Sequence, residues 1–215
     1  MPTHGKLRLL CTCLALVVLF AVPLLAVDRI GPLNADGVSA DLKQAVEDKG
    51  YSVAPDGAAM AEFWFARALA VSSRDASGAL YPQLANGEFV AVVTFPKGTS
   101  DYREQALASG TYTLRYQYIP QDANHMGVSP NPDFLLAVPV ASDTNPAQPL
   151  PYKRLIVFST KASGTAHPAV FAMAPVGDLG AVTKNEQGMQ VFSVEVPTAN
   201  GKTVKLGIVV KGQAQ

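Results

Sequence analysis

Two polar loops of this chain carry the residue types that could do chemistry. Each loop contains a histidine and lies beside a predicted strand, the position at which binding residues concentrate. The candidate binding residues in these loops are Asp122, Asn124, His125, Met126, Asp133, Ser163 and His167. His125 and His167 are the candidate metal ligands.

A metal site is one interpretation of the two histidines. Two imidazoles and a carboxylate suit Zn²⁺, and a thioether from Met126 or Met173 would favour copper. His125 and His167 are 42 positions apart, so only the fold could bring them together. The alternative is that both are ordinary loop residues that hydrogen-bond to nearby backbone, and the sequence leaves both interpretations open.

Nucleophilic catalysis has weaker support. His125, Ser129 and Asp133 recur every four residues, but Pro130 and Pro132 prevent the helix that would align them. The chain has no G-x-S-x-G motif for a serine hydrolase. It also lacks a glycine-rich phosphate loop after any predicted strand.

Two further groups of residues have both a functional and a structural interpretation. Glu62, Glu88 and Glu195 lie in predicted strands and could supply a glycosidase pair, although strand carboxylates are usually solvated. The aromatic residues could form a platform for glycans or peptides, or they could fill a core with hydroxyl groups at its rim. They are Phe63, Trp64, Tyr112, Tyr116 and Tyr118.

The first 27 residues predict export from the cytoplasm. Lys6 and Arg8 precede an uncharged run from Leu9 to Val27, and Ala26 is a suitable residue before a signal-peptidase cut. The run is also long enough to span a bilayer, so an uncleaved N-terminal anchor is the alternative. Both interpretations place the body of the protein outside the cytoplasm, in the periplasm or the extracellular space.

Composition limits the classes of partner. The chain has 215 residues, 48% of them apolar, which is enough for a substantial core. Outside the leader, 15 basic and 17 acidic residues leave a net charge near −2, which does not favour nucleic acid or an anionic membrane surface. Both cysteines, Cys11 and Cys13, fall in the leader, so the body has no disulfide or thiolate site.

Periodicity predicts a mostly β domain over residues 38–212, after a linker at 28–37. Alternation is clearest at 111–118, where Arg115 lies on the face that we expect to be solvated. Asn200-Gly201 predicts a hairpin, and a short helix is expected at 40–49. Residues 152–164 fit either a strand, from their β-branched content, or a helix, from Pro151 at the first turn and Gly164 at the stop, and the helix is preferred. About seven or eight strands with turns between them favour an antiparallel β-sandwich, immunoglobulin- or transthyretin-like.

Two motifs of this chain are specific: His-Met-Gly-Val-Ser at 125–129 and Ser-Gly-Thr-Ala-His-Pro at 163–168. With these motifs, and over roughly residues 38–210, the chain resembles a family of uncharacterised secreted bacterial β-sandwich-like proteins with no assigned activity. The resemblance implies an exported domain and a helix at 152–162, but no mechanism.

The sequence therefore predicts an exported, non-enzymatic binding or structural module of the cell envelope. Its partner would be an envelope protein or a glycan, and it would contact the membrane only through an uncleaved leader. The alternative is a small metalloprotein or metal-dependent enzyme that uses His125 and His167 with zinc or copper.

Overall fold

In a computed structural model, the structure describes residues 26–54, 59–71, 78–119 and 129–212. The predicted leader lies outside this part of the chain, apart from its last two residues. The described elements, in chain order, are β1 (Ala26–Ile30), α1 (Ala40–Ala45), β2 (Gly50–Ala54), β3 (Ala61–Phe65), β4 (Phe89–Phe95), β5 (Thr99–Ser100), β6 (Ala106–Leu107), β7 (Gly110–Tyr118), β8 (Asp133–Pro139), α2 (Tyr152–Ser163), β9 (Ala169–Ala174), β10 (Ala181–Lys184), β11 (Gln190–Pro197) and β12 (Thr203–Lys211).

Ten strands join in one antiparallel sheet that curls into a nearly closed, barrel-like shape. Their order is β1-β2-β3-β4-β7-β8-β9-β12-β11-β10, and β5 and β6 form a separate small hairpin. The outermost strands β1 and β10 approach each other without forming a ladder.

The sheet confirms the predicted mostly β, antiparallel fold with short helices, whereas the predicted sandwich is not confirmed. A sheet with one apolar face can bury it either by stacking on a second sheet or by curling on itself, and both give the same alternation.

The main core fills the inside of this sheet. Phe95 of β4 stacks on Phe171 of β9, with 5.4 Å between ring centroids, and Tyr51 of β2 meets Phe192 of β11 at 5.3 Å. These contacts join strands that are not neighbours in the sheet. The interior is therefore packed with side chains, as in other small closed sheets.

The outer face of β7 is buried, so the expectation that Arg115 faces solvent is wrong. Thr113, Arg115 and Gln117 are all at most 2% exposed. The segment between β8 and α2 covers β7, because its Asp143 forms an ion pair with Arg115 and accepts a hydrogen bond from Thr113. A second apolar cluster lies beneath α2, which packs its Leu155 on the outer face of β8.

Several local predictions are confirmed and two need correction. Helix α2 ends at Gly164, which has φ 65°, and Gly201, with φ 77°, turns between β11 and β12, both as predicted. Helix α1 is capped by Ser39 but ends early, because Val46 pairs with Ala66 as a β-bridge.

The predicted linker at 28–37 is the other correction, because residues 28–30 belong to β1. Val27 and Ile30 pack against the main core, and β1 is hydrogen-bonded to β2 along its length. Apolar side chains and a free neighbouring strand edge are sufficient to order this segment. No helix within the described residues is long and apolar enough to cross a membrane.

Candidate functional site

The sheet has two ends, and the small hairpin marks one of them. This hairpin end carries β5 and β6, the start of β9 and the ends of β10 and β12. The opposite end, which we call the Asp133 end, carries the starts of β4 and β8. The antiparallel registers fix this assignment, since each strand runs against its neighbours.

Asp101 fastens the β5–β6 hairpin to the sheet. Its Oδ1 accepts hydrogen bonds from the backbone N–H groups of Arg103 (2.9 Å) and Gln105 (2.8 Å). Its Oδ2 accepts from the Gln105 side-chain amide (2.8 Å) and from the backbone N–H of Val170 in β9 (2.9 Å). The carboxylate is buried, and four donors satisfy it, so its role is to hold this rim in place.

Ser163 and His167 lie beside this hairpin, in the turn between α2 and β9. The Ser163 hydroxyl donates to the backbone carbonyl of His167, and Gln105 links the same turn to the hairpin through Thr165 and Pro168. The His167 side chain is exposed. Ser163 therefore shapes the turn through backbone bonds, rather than being activated by the neighbouring imidazole.

A cavity of about 650 Å³ opens at the hairpin end. Its lining combines apolar and polar side chains. The residues that matter most here are Met60, Phe171, Lys184, Gln190, Val210 and Lys211. Lys184, Gln190 and Lys211 follow one another across the ends of β10, β11 and β12, because Gln190 pairs with both lysines in the register.

Two lysines and one carboxylate stand among the described lining residues of this cavity. Lys184 and Lys211 bring positive charge to the lining, and the Asp101 carboxylate accepts four hydrogen bonds from N–H groups. The side-chain oxygen of Gln190 is buried and has no hydrogen-bond partner within the described residues. An unsatisfied buried acceptor costs about 1–3 kcal/mol.

No protein-family model, curated protein or solved structure matches this chain. The cavity at the hairpin end combines charged and apolar lining residues. Its volume falls within the range of about 300–1,000 Å³ that small-molecule sites occupy. On geometry and charge, we take it as the candidate functional site.

The structure separates Asp133 from Ser163 and His167, so the prediction of one shared loop site is wrong for these residues. Ala137 pairs with Ala169 at the hairpin end, whereas Asp133 begins β8 at the opposite end. At about 3.3 Å per residue, the length of β8 alone holds them roughly 20 Å apart. The reason is that β8 begins at Asp133 and runs antiparallel to β9, so that the loop before β8 and the turn before β9 lie at opposite ends of the sheet.

Asp133 has a structural role at its own end. Its carboxylate is fully buried and accepts hydrogen bonds from the backbone N–H groups of Leu80 (2.7 Å) and Tyr81 (3.0 Å) and from the Tyr116 hydroxyl (2.6 Å). It thereby holds the segment around Leu80 and Tyr81 against β7 and β8.

The metal hypothesis stays a prediction. Asp122, Asn124, His125 and Met126 lie outside the described residues, so the distance from His125 to His167 is untested. Within the described part of the chain, no group of three or more His, Cys, Asp or Glu side chains could hold a metal ion. Met173 is fully buried in the main core.

The structure also bears on the glycosidase pair and on the aromatic platform considered above. Glu62 pairs with Thr94 at one end of β4, and Glu88 precedes the other end, so they are too far apart for a glycosidase pair. Phe63, Trp64, Tyr112 and Tyr116 are buried, as in the core interpretation.

Sequence reasoning missed the cavity residues, because it did not predict strand β10. This strand has four residues and alternates apolar and polar side chains over one period only. The available signal was the turn Asn185–Gly188, where the backbone N–H of Gly188 bonds to Asn185. A hairpin at that turn would have placed Lys184 beside Gln190.

Proposed function

We propose that this chain is an exported ligand-binding module of the cell envelope, and that its hairpin-end cavity binds an anionic amphiphile. Such a molecule carries a carboxylate or phosphate group on an apolar body. The single observation behind the proposal is that a cavity of about 650 Å³ is lined both by Lys184 and Lys211 and by the apolar side chains of Met60, Phe171 and Val210.

Each part of the ligand has a matching part of the cavity. A carboxylate placed between the two ammonium groups would form charge-assisted hydrogen bonds, which contribute about 1.5–3 kcal/mol each when water is excluded. The apolar body would lose its water-exposed surface against Met60, Phe171 and Val210, at about 25 cal/mol per Å². The hydrogen bonds to Asp101 keep the rim rigid, which lowers the entropy cost of binding.

Export is supported by the sequence. The uncharged run from Leu9 to Val27 follows two basic residues, and the body after it contains no cysteine, so its fold does not depend on the redox state of the compartment. The scaffold also suits a binding module. Opposite walls of the curled sheet pack against each other, much as the two layers of the expected sandwich would.

Decanoate tests the proposal, with decanol as its uncharged counterpart. Titration of the purified protein by isothermal calorimetry should show one saturable site for decanoate and at least tenfold weaker binding of decanol. The double variant Lys184→Gln/Lys211→Gln should weaken decanoate binding by tenfold or more.

Lys97→Gln is the matched control, because Lys97 lies in the turn before β5 at the same end but does not line the cavity. It should bind decanoate as the unaltered protein does. The proposal fails if decanoate does not saturate, or if Lys97→Gln weakens binding as much as the double variant.

A further inference from the structure

A second concavity, of about 410 Å³, lies at the Asp133 end of the sheet. Its walls come from α1, the residues after β3, the start of β4 and the segment after β8. We call it the Glu88 cleft, and its lining includes Asp41, Ala45, Ala66, Ala68, Glu88 and Asn145. It shares no lining residue with the hairpin-end cavity.

The Glu88 side chain faces this cleft with one weak hydrogen bond. The residue is 7% exposed, and one carboxylate oxygen accepts a bond from the backbone N–H of Ala70 at 3.3 Å. Its other oxygen accepts none from the described residues. The buried carboxylates Asp101 and Asp133, in contrast, accept four and three hydrogen bonds.

The cations around Glu88 are already engaged. Arg115, which lies behind it on β7, forms its ion pair with Asp143, and its remaining N–H groups bond to backbone carbonyls. Arg67, in the cleft wall, bonds to Asp48 and to the carbonyl of Gln44. The described residues therefore provide no ion-pair partner within 4 Å for the Glu88 carboxylate.

Burial raises the pKa of the Glu88 carboxyl above its usual range, opposed by the Ala70 N–H and by the positive charge of Arg115. Burial thus disfavours the carboxylate form of Glu88. A positive charge brought into the cleft would stabilise that form. Asp41 on α1 also lines the cleft and would add a second negative charge.

We propose that the Glu88 cleft binds a primary alkylammonium group, with Glu88 as its counterion. The methyl groups of Ala45, Ala66 and Ala68 line the same cleft and suit a short alkyl chain beside the charge. The chemistry fits either a free alkylamine or the side chain of a lysine in a peptide. The cleft has room for one such chain, and it acts independently of the proposed anion site.

The test is a titration of the full chain with pentylamine. Binding is measured from the changes in the amide NMR chemical shifts of residues 66–70 and 88–89. Binding should be saturable and should strengthen as the pH rises, by up to tenfold per pH unit while Glu88 is protonated. Pentanol, which lacks the charge, should cause no saturable shift. A second titration with N-acetyl-lysine methylamide distinguishes the sources, since tighter binding than pentylamine assigns the site to a peptide lysine and weaker binding to a free amine.

Two variants and one control make the result decisive. Glu88→Gln keeps the acceptor for Ala70 and should weaken pentylamine binding by tenfold or more. Ala68→Leu fills the cleft from an exposed position and should abolish binding without unfolding the protein. Glu62→Gln makes the same chemical change on β3, outside the cleft, and should leave the affinity unchanged.

The proposal is overturned if pentanol binds as well as pentylamine, or if Glu88→Gln binds pentylamine with unchanged affinity. Decanoate binding at the hairpin end provides an independent reference. It should be the same in Glu88→Gln as in the unaltered protein, so the two sites can fail separately.

Discussion

Removing Asp143 should destabilise the fold more than removing any exposed charge. The Asp143 and Arg115 side chains are 1% and 0% exposed, and they are joined by two hydrogen bonds of 2.7 and 2.8 Å. Asp143→Ala leaves a buried guanidinium without its counterion, which costs about 3–5 kcal/mol. That is a large part of the total free energy of unfolding, about 5–15 kcal/mol for a domain.

Thermal and urea unfolding measure this effect. A loss of this size should lower the Tm by about 6–20 °C, at about 2–4 °C per kcal/mol for a chain of this length. Asp48→Ala breaks the other described ion pair, to Arg67, whose side chains are 79% and 42% exposed, and should leave the Tm unchanged. If the two variants have equal Tm values, the assignment of Arg115 and Asp143 as a stabilising pair is wrong.

The double variant Arg115→Met/Asp143→Leu separates the charge effect from loss of packing. It removes both charges and keeps apolar volume on the outer face of β7. Because neither partner is then left buried alone, stability should recover most of the loss seen in Asp143→Ala. A double variant that is less stable than Asp143→Ala would show that the backbone carbonyls bound by Arg115 matter more than the ion pair.

Three further predictions concern stability. Asp133→Asn should lower the free energy of unfolding by about 1.5–3 kcal/mol in urea, because charge-assisted bonds to three donors become weaker. Burial raises the pKa of Tyr81 to about 12. The free energy of unfolding should therefore stay constant below pH 10 and fall by about 2–3 kcal/mol as the pH rises to 12. Tyr81→Phe should remove this contribution to the pH dependence. Gly207→Ala places a Cβ 2.5 Å from the carbonyl oxygen of Ala174 and should lower the free energy of unfolding by about 1–3 kcal/mol. Gly31→Ala is the control, because a Cβ at Gly31 meets nothing within 4 Å, and it should leave the free energy of unfolding unchanged. Calorimetry of both variants measures the difference.

Sequence periodicity predicted the long strands, but it missed β1 and β10 and could not show which strand faces are buried. The alternation at 111–118 correctly places Tyr112 and Tyr116 on one face and Arg115 on the other. It could not show that the second face is buried, because an arginine at an alternate position gives the same pattern whether water or Asp143 satisfies it. That information lies in residues about thirty positions away.

The site was harder to predict, because it depends on which strand ends meet. The loops with Asp133 and His167 have similar composition and similar neighbours in the sequence, and strand order alone assigns them to opposite ends. Lys184, Gln190 and Lys211 come together for the same reason. No local pattern encodes strand order, so chemical residue types in loops indicate candidates but do not indicate which of them meet.

The weakest junction of the sheet has a consequence for how the protein opens. Strands β10, β11 and β12 form a continuous meander, yet it is joined to β9 by a ladder of only two residue pairs, Gly207–Ala174 and Ile208–Met173, and to β1 by none. The Tyr81 hydroxyl bridges this junction, since it donates to the Ala174 carbonyl and accepts from the Gly207 N–H.

The meander should therefore detach as one cooperative unit before the remaining strands separate. Hydrogen exchange at low denaturant should show a common opening free energy for the amides of β10 to β12, below that of β4 and β7. Such a partly open form would expose Phe192 and two unpaired strand edges to other copies of the chain. The Tyr81 hydroxyl would then act as a clasp against aggregation, in addition to its part in the stability of the closed sheet.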